Sequence, residues 1–254
     1  MLSNRKKILV TNDDGIEGEG LKVLVESLKK VCDVYVLAPD SNNSAVSSKI
    51  TMGRPLQFRK YDEKTYACSG TPADCVICAF TSPLFDFKFD AVVSGINAGP
   101  NMGTDVIYSG TCAAARQAVL MGAPGVAVSL ESKFLDYSSA GFNFKPLADF
   151  TANNLDELIS LCSSDVFVSL NATSADTYKE AVFASGCVRD YGDKVSITSE
   201  DSNFFSGICE NGKISVSGHA DSDYNIARSG KIAISLIYAE PVLKKTDQSV
   251  NFKF

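Results

Sequence analysis

The sequence predicts an α/β fold: a doubly wound, mostly parallel sheet with a C-terminal extension rich in β-hairpins. Three observations carry this. Apolar runs at Ile8-Leu9-Val10, Asp33 to Ala38, Phe89 to Val93, Val126 to Leu130 and Val166 to Leu170 alternate with segments of helical character, as βαβ units do. The turns after the early runs carry Asn, Asp, Ser and Gly, which tolerate tight turns and sit where open sheets collect ligands. From Ala181 onward, short apolar runs are separated by Gly, Asp and Ser. The expected division is a core over 1–180 and a β-rich extension over 181–254, serving as an oligomerisation arm and returning to the core.

Lys7 to Thr11 reads as a buried strand. Gly18 to Lys30 follows with Leu21, Leu24, Val25 and Leu28 at helical spacing and lysines at its end, where the helix dipole favours them. Asp33 to Ala38 is the second strand, ending at Pro39. The polar segment Asp40 to Lys49 leaves that strand's carboxyl end, a position where long loops carry function. Leu56 to Arg59 and Thr65 to Cys68 read as a short β pair. Thr71 as cap and Pro72 in the first turn then open a helix.

Phe89 to Val93 runs into a glycine-rich stretch, Ser94 to Asp105. Tyr108-Ser109-Gly110-Thr111 opens a small-residue helix, Cys112 to Met121, and Val126 to Leu130 is the next strand. Ser132 to Lys145 reads as a loop, Pro146 to Cys162 as one helix, and Val166 to Leu170 as a strand. Val195 to Thr198, Phe204 to Cys209, Ile214 to Val216 and Ile232 to Tyr238 are the hairpin candidates.

Composition narrows the function. The 254 residues, 45% hydrophobic and 21% charged, describe an ordinary globular chain. A net charge of -6 argues against binding a nucleic-acid polymer, which needs a Lys/Arg surplus. The basic start Met1 to Lys7 is followed by an apolar stretch that stops at Asn12, too soon for a signal h-region. There is no apolar run long enough to span a membrane, so a cytoplasmic location is the default expectation. The eight cysteines show no disulfide spacing, and Cys75-Val76-Ile77-Cys78 lacks the second pair a zinc site needs, so it reads as core.

Asn12-Asp13-Asp14-Gly15 carries the chemistry. Two adjacent carboxylates at the end of the first strand repel a phosphate unless a cation stands between, which points to a hard, oxygen-ligated metal. Turn chemistry is the plainer reading of the same residues. Neither Gly15-Ile16-Glu17-Gly18-Glu19-Gly20 nor the glycines at 95, 99 and 103 form a dinucleotide fingerprint, and no P-loop is present. Ser109, Gly110 and Thr111 instead offer hydroxyls and unpaired amides at a helix start without carboxylates, a seat for phosphate or an ordinary cap.

Taken together, Asn12-Asp13-Asp14-Gly15, Ala38-Pro39-Asp40 with Ser44, Gly70 to Val76, and Ser94-Gly95-Ile96-Asn97-Ala98-Gly99-Pro100-Asn101 followed by Tyr108-Ser109-Gly110-Thr111 resemble the SurE family. These are stationary-phase survival proteins acting as metal-dependent 5′-nucleotidases. The match is dense over 7–130 and returns weakly near Val166 to Asn171 and Asp223 to Leu236. It implies a Rossmann-like core and hydrolysis of nucleoside 5′-monophosphates, with 3′-nucleotides and short polyphosphate as further substrates. It also implies one divalent ion per subunit, Mg²⁺ or Mn²⁺, held by Asp13, Asp14, Ser44 and Asn97. A homodimer with exchanged C-terminal arms, or a homotetramer, is implied as well. Where relatives carry Gly and a second Ser, this chain has Ser47 and Lys49, and its downstream Arg-Tyr segment is reduced to Arg189-Asp190-Tyr191 and Ser199 to Gly207.

On this reading Asp13, Asp14 and Asn97 are catalytic. Asn12, Gly95, Asn101, Ser109, Gly110 and Thr111 receive the phosphoryl group, through the helix end and the glycine-loop amides. Thr111→Val is then expected to weaken phosphate inhibition and spare metal affinity. His219, the only histidine, has no G-x-S-x-G serine to serve. Aspartyl-phosphate enzymes use Asp-x-Asp, whereas these acids are adjacent. The alternative is a nucleotide-binding or sensing module that keeps the metal site with little turnover.

Overall fold

The computed structural model describes residues 5–134, 141–199, 203, 205–210 and 212–242. Parts of the expected 132–145 loop, the start of the run at Phe204 and the end of the extension beyond 242 lie outside them. In chain order the elements are β1 (Lys7–Thr11), α1 (Glu19–Leu28), β2 (Asp33–Pro39), β3 (Phe58–Lys60), β4 (Thr65–Cys68), α2 (Pro72–Thr81), β5 (Ala91–Ala98), a 3-10 turn (Gly103–Ile107), α3 (Gly110–Leu120), β6 (Gly125–Glu131), α4 (Lys145–Asn153), α5 (Leu155–Ser160) and β7 (Val166–Thr173). There follow β8 (Ala181–Phe183), β9 (Val188–Asp190), β10 (Lys194–Ser199), β11 (Phe205–Glu210), β12 (Ser215–Ser217), α6 (Asp223–Arg228) and β13 (Ile232–Tyr238).

A nine-stranded sheet in the order β3-β4-β2-β1-β5-β6-β7-β13-β8 forms the centre. From β4 to β7 every pair is parallel, while β3 and β13 join antiparallel. The chain leaves β1 toward β2 on one side and returns to β5 on the other, so the strand order reverses at β1. That reversal opens a crevice at the strands' carboxyl ends, where open α/β sheets bind ligands.

Both sheet faces are covered, which is why the strands read as continuous apolar runs. On one face Ile8, Val10 and Val93 pack with Leu21, Leu24 and Leu28 of α1 and Leu147 of α4, all fully or almost fully buried. On the other, Leu9 and Val92 pack with Cys75, Val76 and Ala79 of α2 and Ala114 and Ala118 of α3. Each buried leucine contributes about 2 kcal/mol against exposure. α2 is opened by a reciprocal cap in which Thr71 Oγ1 accepts from the Asp74 amide and the Asp74 carboxylate accepts from the Thr71 amide.

Several expectations are revised. β5 does not stop at Val93 but continues to Ala98, so the glycine-rich motif begins inside a strand, with a register irregularity against β6 between Ser94 and Asn97. The expected single helix over 146–162 is two, because Asn154 leaves helical geometry and turns its amide onto the Phe150 carbonyl. Lys29 and Lys30 fall just past α1. α6, capped by Ser222, is a helix that sequence periodicity does not predict. The cysteines are all free thiols, and Cys75 is buried in the core as expected. Among the described residues no helix is long and apolar enough to cross a membrane.

The extension divides between two roles. β8 and β13 complete the central sheet, β9 pairs with β12, and β10–β11 forms a separate hairpin.

Candidate active site

The crevice beside β1 opens into a cavity of about 680 Å³, and its lining includes Asp13, Ser44, Asn97, Asn101 and Ser109. Three loops from different parts of the sequence therefore meet at one rim. The Asp turn comes first: Asn12 donates its side-chain amide to the Gly15 carbonyl and accepts from the Gly15 amide, closing the tight turn that carries Asp13 and Asp14. Asn12 is fully buried with both ends of its amide so used, so its role lies in shaping the turn.

Asp13 is 3% exposed and meets the start of α3. Its Oδ1 accepts from the Thr111 hydroxyl at 2.6 Å and its Oδ2 from the Thr111 amide at 3.1 Å. Gly110 permits this approach, since a Cβ there would stand 2.8 Å from the Asp13 Cβ. The Thr111 hydroxyl expected to face phosphate thus faces a carboxylate, and it is fully buried. Burial pushes Asp13 up to about 6, with Asp14 adding to the rise and the Thr111 bonds opposing it. Asp14, less buried, accepts from the Ala98 amide at 3.1 Å and is also raised by burial.

Ser44 is brought in by the loop after β2. The Asn43 amide donates to the Asp13 carbonyl at 2.7 Å, and Ser44 is steadied by its own amide on Asn42 Oδ1. Ala45 and Ser47 adopt left-handed backbone, at φ 57° and 55°, a conformation that costs about 1 kcal/mol per non-glycine residue. Ser47 compensates by donating its hydroxyl to the Ile107 carbonyl and its amide to that of Tyr108. The Lys49 carbonyl accepts from Thr71. Of the two residues that differ from the SurE pattern, Ser47 thus fastens the loop through its own hydroxyl, while Lys49 contributes a backbone carbonyl that any residue would offer.

Asn97, near the end of β5, donates its side-chain nitrogen to the Gly99 carbonyl at 2.9 Å, which assigns the oxygen as the end available to a cation. Asn101 lines the cavity while its amide nitrogen donates to Ser129 Oγ. Ser109 lines it too and caps α3 by accepting from the Cys112 amide. Gly95 is buried inside β5 and stands behind the rim, a Cβ there lying 2.3 Å from the Val128 carbonyl.

Asp13, Ser44 and Asn97 line the cavity together while Asp14 stands next to Asp13 outside the lining. A set of carboxylate, hydroxyl and amide oxygens of this kind fits a hard divalent ion. Among the described residues no three His, Cys, Asp or Glu gather as a metal cluster, so Ser44 and Asn97 would have to complete the set. Charge argues the same way. Among the described residues the lining carries Asp13, Asp105, Asp190 and Asp193 against one arginine, Arg189, which is paired with Asp105 at 2.8 Å. An anionic substrate needs an added cation there.

Arg189, Asp190, Tyr191 and Asp193 form a wall that the motif reading did not assign to the site. Their only signal was the reduced Arg-Asp-Tyr remnant, because the contacts that bring them in span more than eighty residues. His219 is exposed in the segment before α6 and does not line the cavity.

The survival protein SurE profile matches residues 8–192. The 5′-nucleotidase SurE of Treponema pallidum (strain Nichols) is 43% identical over 187 residues, 70% of this chain and 96% of that protein. The 5′-nucleotidase SurE of Geotalea uraniireducens (strain Rf4) is 36% identical over 242 residues, 92% of this chain and 93% of that protein. Among solved structures, the SurE protein from Aquifex aeolicus superposes with a TM-score of 0.77 at 28% identity, covering 93% of this chain and 94% of that one. With the acid pair at the strand reversal and this breadth of match, the chain belongs to the SurE family.

Proposed function

We propose that the chain is a metal-dependent phosphomonoesterase that hydrolyses nucleoside 5′-monophosphates to nucleoside and phosphate, with Asp13, Asp14, Ser44 and Asn97 as ligands to one Mg²⁺ or Mn²⁺ ion. The observation that carries this reading is the convergence of Asp13, Ser44, Asn97 and Ser109 on one cavity at the strand reversal. The SurE relatives bear the name 5′-nucleotidase over nearly their whole length.

The ion, when bound, supplies Lewis-acid polarisation of a phosphoryl oxygen. The chain's own residues do the rest. Thr111 holds both oxygens of Asp13 in a fixed orientation, and the Ala98 amide does the same for one oxygen of Asp14. The Ser109 hydroxyl, which accepts from the Cys112 amide and keeps its own hydrogen, the Gly110 amide at the start of α3 and the Asn101 side-chain amide present hydrogen-bond donors to an anion. The Gly95, Gly99 and Thr111 backbones serve to build the rim. Ile107 and Tyr108, each about 60% exposed, offer an apolar surface beside the cavity on which a sugar and base can lie. Free phosphate has no use for such a surface. Nucleoside 3′-monophosphates and short polyphosphate are further substrates to assay.

The arm over 181–254 is read as an oligomerisation element. On β10–β11, cross-strand register sets Val195 and Ile197 on one face with Phe205, at 58%, 64% and 62% exposure, a surface suited to a second copy of the chain. A homodimer or homotetramer acting in the cytoplasm is the assembly proposed.

Phosphate release from AMP or GMP with added Mn²⁺ tests the activity. The reading expects turnover that chelator abolishes and Mn²⁺ restores. Nucleotide binding without phosphate release would contradict it.

A further inference from the structure

We propose that Arg189 and Tyr191 are positioning residues that act through Asp105 to fix the turn carrying Ser109, so that the C-terminal wall sets the affinity of the site for phosphoryl groups. This rests on the phosphomonoesterase reading above for its substrate and on separate contacts for its mechanism.

The turn in question, 102–109, enters α3 and places Ser109 at the cavity. Its backbone is organised around Asp105, whose carbonyl accepts from the amides of Tyr108 at 2.9 Å and Ser109 at 3.0 Å. The Asp105 side chain is gripped on both oxygens. Oδ2 accepts from Arg189 Nη1 at 2.8 Å and from the Met102 amide at 3.2 Å, and Oδ1 accepts from the Tyr191 hydroxyl at 2.8 Å. The ion pair is buried, with side-chain exposures of 3% and 7%. A tilt of Asp105 therefore moves the peptide that holds Ser109.

Two further contacts make the attachment a clamp. Thr104 Oγ1 accepts from the Arg189 amide at 3.0 Å and donates to its carbonyl at 2.9 Å. The Gly103 amide donates to Asp223 Oδ2 at 2.7 Å, and the same carboxylate accepts from the Cys187 amide. Three consecutive residues ahead of the phosphate-facing helix are thus each tied to the segment after residue 186. Beyond the turn, Ser109 caps α3 by accepting from the Cys112 amide, so the clamp ends on the helix start that faces the cavity. Arg189 and Tyr191 also line the cavity themselves. Charge-assisted bonds of this length, shielded from water, hold orientation more firmly than the surface pairs elsewhere in the chain.

The test compares wild type with Tyr191→Phe, Arg189→Lys and Arg189→Met, all loaded with Mn²⁺. Inorganic phosphate affinity and Mn²⁺ affinity are measured by calorimetric titration, AMP kinetics separately, and folding by thermal melting. Tyr191→Phe, which removes one bond to a charged acceptor and keeps the ring, is expected to weaken phosphate about 3- to 10-fold and raise the KM for AMP in step. The change in kcat is expected to be smaller, and Mn²⁺ affinity to hold. Arg189→Lys should fall between wild type and Arg189→Met, because it restores charge without the planar fork. Folded variants with unchanged phosphate affinity would overturn the proposal, as would a loss of Mn²⁺ affinity matching that of phosphate. If wild type binds phosphate and the variants weaken it, yet AMP is not hydrolysed, the activity reading fails and the positioning role stands. If AMP is hydrolysed and phosphate affinity does not move, the activity reading stands and the positioning role fails.

Discussion

The cavity has two walls built by different means. The N-terminal rim takes its shape from short-range devices: Asn12 closes its own turn on Gly15, Ser109 caps its own helix, and the Asn97 amide reaches only to Gly99. Its acid pair is then tied across the sequence to Thr111 and Ala98. The C-terminal wall is made of long-range ones: Arg189 and Tyr191 on Asp105, and Asp223 on Gly103. Local turns present the candidate ligands on the rim, whereas the C-terminal wall depends on distant contacts for its place in the frame. Perturbing the first should change chemistry, and perturbing the second should change affinity and stability.

The largest effect is expected on the rim. Asp13→Asn should lower the rate of AMP hydrolysis by about 10² or more, since a lost ligand forfeits several kcal/mol of transition-state stabilisation. Equal rates in both proteins would remove Asp13 from the mechanism. Thr111→Val comes next. Because its hydroxyl donates to Asp13 Oδ1, the variant should lose about 10-fold in Mn²⁺ affinity, the scale set by bonds that orient metal ligands. This replaces the expectation that metal affinity would be spared, and Mn²⁺ titration decides between them.

The wall answers differently. Gly103 adopts φ 52°, and a Cβ there would lie 1.8 Å from the Cys187 carbonyl, so Gly103→Ala must push the wall away. A loss of about 2 kcal/mol in urea unfolding is expected, the range for overpacking. Wild-type stability would show that the wall yields at no cost.

Farther out, Asp74 supplies a smaller effect with a pH signature. Burial raises its carboxyl, but bonds from the Thr51 amide and hydroxyl and from Thr71 outweigh burial and leave it below the usual range. A depressed folded pKa means that its stabilisation is complete above the unfolded value and is lost as pH falls through the folded one. Asp74→Ala should cost about 1 kcal/mol at neutral pH, as lost caps do, and less in acid. An equal cost at both would contradict the assignment. Ile197→Glu on the β10–β11 hairpin is expected to change subunit stability by less than about 0.5 kcal/mol, yet to shift the assembly toward monomer in sedimentation.

The same contrast explains what the sequence made legible. Buried parallel strands, the Thr71-Pro72 helix start and the acid turn are local patterns, and β1, α2 and the end of β6 fall close to where periodicity set them. The break at Asn154 was hidden because an asparagine leaves helical periodicity intact while its side chain competes for a backbone carbonyl. The partner of Thr111 was hidden because a hydroxyl at a helix start serves an anion or a carboxylate equally well, and only the approach of β1 to α3 decides. Arg189 and Tyr191 carried only the reduced Arg-Asp-Tyr remnant as a mark, and nothing in it points to the site, since their partner Asp105 is more than eighty residues earlier.

Anomalous diffraction from crystals soaked in Mn²⁺ tests the central claim most directly. The account predicts a single strong peak at about 2.0–2.2 Å from carboxylate oxygens of Asp13 and Asp14, with Ser44 and Asn97 completing the shell, the distances expected for small hard cations. A peak at Asp190 and Asp193 instead, or none at the acid pair under saturating metal, would contradict it.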